Sequence, residues 1–135
     1  MSETSSGLTW LRVSYWAGAI VDAAMIVPML SPKIGAALFG IHDRHPGSEY
    51  RYAMAVGASL MAGWTGLLVW ADRRPVERRA VLLVTIFPVL VGLIVAGGYA
   101  VASGLVDAST MTPTWLLQLA LACLFAIAYR RGGRR

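Results

Sequence analysis

One carboxylate in this chain stands out by where it lies. Asp22 falls inside the apolar stretch VSYWAGAIVDAAMIVPML, residues 13–30, and of the 19 Lys, Arg, Asp and Glu residues it alone interrupts such a stretch. An acid near the middle of a membrane-spanning helix costs about 2.5–3.5 kcal/mol on insertion scales, so such groups face protein or water and mark proton and ion pathways. A carboxyl group whose protonation depends on what occupies its site can exchange a proton for a cationic ligand. The structural alternative is an Asp whose hydrogen bond fastens two helices together, and residue type leaves the two readings level. Ser14 and Gly18, at i−8 and i−4, share the face of Asp22, which lets a neighbouring helix come close.

Depth arithmetic picks out the groups that could meet it. Asp22 is about 12 Å from the far end of its stretch at 1.5 Å per residue, Ser59 about 11 Å from Tyr52, Gln118 about 8 Å from Pro113 and Tyr99 about 6 Å from Ser103. Asp22, Ser59, Tyr99 and Gln118 can therefore surround one cavity in the outer half of a bundle, as a ligand or proton site. Gln118 as inter-helix glue and Tyr99 as an interfacial ring are the competing readings.

The elements that must position these groups follow from composition. The 135 residues are 57% hydrophobic and 14% charged, against about 45–50% and 25% in soluble domains. Four stretches, residues 13–30, 52–71, 80–103 and 113–129, approach or exceed the length that crosses about 30 Å of hydrocarbon. The expected fold is all-α, an integral membrane four-transmembrane-helix bundle in a single domain spanning residues 1–135. Residues 1–12 lack the basic opening of a secretory signal, so the first stretch reads as a permanent helix.

The connection from Ser31 to Arg51 carries a further helical signature. Ser31 can cap, Pro32 suits a first helical position, and Ile34, Ala37, Leu38 and Ile41 share one face, which predicts a short interfacial helix over about 32–40 in the first outer loop. His42, Asp43 and His45 follow, but no matching ligand cluster exists elsewhere and Arg44 opposes a cation, so neither metal nor cofactor is expected.

Basic residues orient the bundle. Arg12, Arg73, Arg74, Arg78, Arg79, Arg130, Arg131, Arg134 and Arg135 share one side of an even-numbered bundle, while Lys33, Arg44 and Arg51 lie on the other. The positive-inside rule then predicts a multi-pass plasma (inner) membrane protein with both termini cytoplasmic. The net charge of +5 thus needs no nucleic-acid partner. Arg73, Arg74, Arg78 and Arg79 can also attract anionic lipid headgroups. Trp10, Trp16, Tyr52, Trp70, Trp115 and Tyr129 lie near span ends, as an aromatic belt requires.

Small residues recur at helical spacing: Ala55, Ser59 and Gly63 beside Ala58, Ala62 and Gly66, and Gly92, Ala96, Ala100 and Gly104. With Gly18, the positions Gly63, Gly92 and Ala96 are candidates for close packing within the bundle, in a homo-oligomer or against partner membrane helices. Pro28 and Pro88 can each kink a helix. Cys123 is solitary, and no phosphate-binding Gly loop, HExxH pair or GxSxG elbow is present, so no motif points to an enzyme.

Four short spans with an acid in the first resemble the small multidrug-resistance exporters in architecture. That resemblance implies proton exchange for a cationic drug and transfers only to Asp22; the chain has Asp where those exporters use Glu, and a 21-residue connection where their loops are tight. No family is assigned on this basis. The leading expectation is a proton- or ion-coupled transporter, or a membrane protein binding a small molecule or ion, that uses Asp22. The alternative is a non-catalytic accessory subunit packing through small-residue faces. A membrane enzyme acting on a lipid-like substrate would need a catalytic partner for Asp22 that no spacing reveals.

Overall fold

The structure, a computed structural model, describes residues 2–39 and 47–133. Helix α1 covers Ser2–Leu30, α2 Pro32–Phe39, α3 Ser48–Asp72, α4 Ala80–Val84, α5 Val91–Ala102 and α6 Ala108–Gly132. Among the described residues, four stretches are long and apolar enough to cross a membrane: Ser6–Leu30, Ser48–Asp72, Ala80–Ala102 and Ala108–Gly132. The architecture is the all-α bundle that the hydropathy pattern predicts, with α2 at the position of the short helix. Gly40, His42, Asp43, Arg44, His45, Arg134 and Arg135 lie outside the described residues.

The helices run past the apolar limits because their ends pack. Helix α1 starts well before Val13; Leu11 is fully buried, and a Cβ placed on Gly7 would sit 3.0 Å from the Arg131 carbonyl oxygen at the end of α6. Helix α6 likewise begins at Ala108, with Asp107 in extended conformation ahead of it.

Helix α1 is the centre of the bundle. It packs on α3 and on α6; α6 packs in turn on the α4–α5 span, which also meets α3 where Trp64 reaches Thr85. Three helices meet at Gly18: its Cβ position lies 3.0 Å from Leu68 Cδ1 of α3 and 3.0 Å from Phe125 Cζ of α6. Lipid tails are as apolar as Leu, so close van der Waals contact must hold such helices together, and a missing side chain permits it. Leu11, Tyr15, Ala19, Leu68, Leu82, Leu121, Phe125 and Ala128 build the core on either side of this point.

The two span prolines behave differently. Pro28 remains inside α1, and Ser31 N–H still reaches the Val27 carbonyl at 3.0 Å. At Pro88 the third span breaks: Phe87 adopts φ −122°, ψ 112° within a π-type segment, Thr85–Leu90, that joins α4 to α5. Proline cannot donate to the preceding turn, so the carbonyls freed there must be satisfied by other means.

The arginine-rich end is tied together by mixed polar and aromatic contacts. Asp72, at the end of α3, pairs with Arg12 at 3.8 Å and accepts from Trp16 Nε1 at 3.3 Å, both from α1. Buried Tyr15 donates its hydroxyl to the Pro75 carbonyl at 3.2 Å, anchoring the α3–α4 turn. The guanidinium groups of Arg78, Arg79 and Arg131 lie 3.4, 5.2 and 4.8 Å from the ring centres of Trp70, Tyr129 and Trp10.

Substitution of Gly18 by Leu is expected to cost about 1–3 kcal/mol, because the added atoms must push apart α3 and α6. Gly63→Ala and Gly92→Ala, at positions with nothing within 4 Å of the added carbon, should leave protomer stability undiminished. Thermal unfolding of the three variants in detergent separates these outcomes.

Candidate intramembrane site

Two seven-residue registers place Asp22. Against α6, Leu11 lies beside Gly132 and Gly18 beside Phe125. One further step along both antiparallel helices puts Met25 level with Gln118. Against α3, the Met29 methyl lies 3.1 Å from the Cβ position of Gly57, and a step back along this pair puts Asp22 level with Trp64. Asp22 thus continues the seam of Leu11, Tyr15 and Gly18, where it is half-buried, and Gln118 lies about one turn, some 4.5 Å, further along.

The surrounding polar groups divide into satisfied and unsatisfied sets. Trp64 Nε1 donates across to Thr85 Oγ1 at 3.2 Å, and Thr85 in turn donates to the Val81 carbonyl at 2.8 Å. Ser14, Ser59 and Thr112 likewise donate to carbonyls of their own helices, at 2.8, 2.9 and 2.9 Å. This back-bonding is the usual way a hydroxyl is satisfied inside a helix. Thr65 does not follow it: its Oγ1 is shielded and unpartnered, as are Gln118 Oε1 and Trp115 Nε1. Gln118 is only 9% exposed. Asp22 itself makes no hydrogen bond or ion pair with any described residue.

The four residues singled out by depth therefore separate. Gln118 is buried and Asp22 half-buried. Ser59 is exposed, with its hydroxyl engaged by Ala55, and Tyr99 is 75% exposed. Depth was the wrong coordinate for these two, because helix rotation decides which way a side chain turns. Thr65, Trp64 and Thr85 are the interior polar groups that depth arithmetic passes over. Thr65 had a periodic signal: Ala58, Thr65 and Asp72 recur every seven residues on the α3 face that meets α1.

The other selected positions also divide. Gly18 is enclosed, whereas Gly63 and Gly92 have nothing within 4 Å of their Cβ positions and Ala96 is exposed. Arg73 and Arg74 are exposed, with Arg74 paired to Glu77 at 3.3 Å, while Arg78 and Arg79 are drawn onto aromatic rings.

Chemically, the interior seam offers a carboxyl group, a hydroxyl and a carboxamide oxygen at membrane depth, with no Lys or Arg among the residues of that seam. Oxygen acceptors left unpaired in a low-dielectric interior are costly, and a proton or cation repays that cost. Comparison with protein-family models, curated proteins and solved structures finds no match, so function has to be read from this geometry.

Thr65→Val should leave stability unchanged or raise it by up to about 1 kcal/mol, since it removes an unpaired buried hydroxyl at nearly constant volume. Thr85→Val should lower stability by about 1–2 kcal/mol, because it strands the Trp64 indole N–H. Chemical denaturation of the ligand-free protein in mild detergent checks both signs.

Proposed function

We propose that this multi-pass membrane protein binds a proton or a small cation at Asp22 and couples that binding to transport. The observation that carries the reading is that Asp22, on a packed helix seam, has no partner among the described residues, while Thr65 and Gln118, whose shielded oxygens are unpartnered, stand within about a turn of its level along the bundle axis. A carboxyl group retained as a helix fastener would be expected to have found a donor. The broken third span supports the coupling: Trp64, level with Asp22, is hydrogen-bonded to Thr85 at the start of the π-type segment. Occupancy at Asp22 can thus be felt at a discontinuous helix, the kind of element from which intramembrane ion sites are built. Ser59 and Tyr99 lie on outward faces, so any part they take in binding runs through contact with a second copy.

Asp22→Asn is expected to abolish proton movement in proteoliposomes carrying a pH gradient and a panel of monovalent and organic cations. It should also raise thermal stability by about 1–2 kcal/mol, as a costly intramembrane acid is removed. Lower stability with unchanged proton movement would assign Asp22 to helix fastening instead.

One observation favours a second reading. Gly63, Gly66, Gly92 and Gly98 all have open space where a side chain would stand, so α3 and α5 present surfaces that another membrane helix can approach closely. An accessory subunit, or a homo-oligomer, would use these faces.

The orientation belongs to the same proposal. Arg12, Arg73, Arg74, Arg78, Arg79, Arg130 and Arg131 gather at one end of the bundle and Lys33 and Arg51 at the other, which supports cytoplasmic termini in a plasma membrane. A reporter fused after Arg135 should be active only in the cytoplasm; activity outside the cell would reverse the topology.

A further inference from the structure

The end of the bundle opposite the arginine cluster carries a cleft of about 310 Å³ that plays no part in the Asp22 site. Met29 and Leu30 from the end of α1, Pro32 from the start of α2, and Tyr50, Arg51 and Ala55 from α3 line it. This volume is at the lower bound of small-ligand sites, about 300–1,000 Å³.

The cleft is built by a close approach that fixes its walls. Helix α2 folds back so tightly that a Cβ on Gly35 would fall 2.6 Å from the Pro28 carbonyl oxygen, with the Tyr50 hydroxyl 3.8 Å from the same point. Only glycine admits that contact, and it places the phenol of Tyr50 in the angle between α2 and α3.

Two polar groups at this cleft are uncommitted. The two ion pairs among the described residues are Arg12–Asp72 and Arg74–Glu77, so Arg51 is not neutralised, although exposed Glu49 lies two positions before it. The Tyr50 hydroxyl likewise has no hydrogen-bond partner among the described residues. The remaining four lining residues are apolar. A free cation and a phenol stand over an apolar floor where α1 ends and α3 begins, the level at which a membrane's hydrocarbon gives way to headgroups.

That combination selects an anion attached to hydrocarbon. Guanidinium binds phosphate through two parallel hydrogen bonds, and a phenol adds a third donor. A water-soluble phosphate would gain nothing from Met29, Leu30, Pro32 and Ala55, whereas a lipid uses them. Below Ala55 the outward face of α3 continues through exposed Ser59 and Gly63, and nothing lies within 4 Å of the Gly63 Cβ position, which leaves a shallow track for an acyl chain.

We infer that this cleft is a binding site for an anionic phospholipid, its phosphate held by Arg51 and Tyr50 and one acyl chain lying along α3. The test is native mass spectrometry of the purified full chain in neutral detergent, with added dioleoyl phosphatidylglycerol, dioleoyl phosphatidylcholine or glycerol phosphate. Retention of one phosphatidylglycerol in clear preference to phosphatidylcholine is expected, with glycerol phosphate neither retained nor competing. Arg51→Gln should reduce retention about tenfold or more, Tyr50→Phe by less, and Arg51→Lys should fall between wild type and Arg51→Gln. Arg130→Gln, at the opposite end, should leave retention unchanged, and far-ultraviolet circular dichroism confirms that each variant is folded. Equal retention of the two lipids, loss through Arg130→Gln but not Arg51→Gln, or displacement by glycerol phosphate would overturn the assignment.

Discussion

The three-helix contact at Gly18 is the constraint from which the rest of the bundle follows. In water, burying Leu68 and Phe125 would itself drive association; between lipid-bathed helices that gain largely vanishes and contact must be close to count. Gly18 lets α3 and α6 reach the α1 backbone at a single level, and this pins both seven-residue registers. One turn further along α1, the same registers leave Asp22 half-buried on this seam. The acid is partly covered because a glycine four residues earlier lets the neighbours close around that face.

The two ends of the bundle solve different problems. At the arginine-rich end, Asp72 gathers Arg12 and Trp16 while three guanidinium groups lie over Trp10, Trp70 and Tyr129. These contacts draw like charges onto aromatic faces, where cation–π attraction contributes about 0.5–1 kcal/mol at exposed sites. Several residues that a belt argument assigns to lipid are thereby engaged with the protein itself. At the other end α2 turns back on α1 through Gly35, leaving an apolar cleft beside Arg51, which has no ion-pair partner among the described residues. Between these ends, the break at Phe87 removes the continuous hydrogen bonding that the third span would otherwise have.

Much of this architecture was legible in the residues. Four apolar stretches, the Ser-Pro start of α2 and the isolation of Asp22 all follow from local composition and period. The candidate site was legible only in part. Gln118 is buried and Asp22 half-buried, yet Ser59 at nearly the same depth is exposed, and the shielded hydroxyl on α3 belongs to Thr65. Hydropathy measures depth along a helix; rotation about its axis depends on which neighbour packs where. The small-residue rows show the same ambiguity, since Gly18 is enclosed while Gly63 and Gly92 stand open.

The amino-acid sequence by itself determined the number of spans, their approximate limits and the charge asymmetry between their ends, because each depends on the transfer of local segments into hydrocarbon. It also marked Asp22 as the costly residue. Only the tertiary structure decided that Asp22 lies level with a Trp64–Thr85 hydrogen bond and within about a turn of Gln118, that the third span breaks at Phe87, and that α2 folds against Pro28. Those facts depend on helix rotation and on contacts between residues distant in the chain, which no window of local hydropathy records.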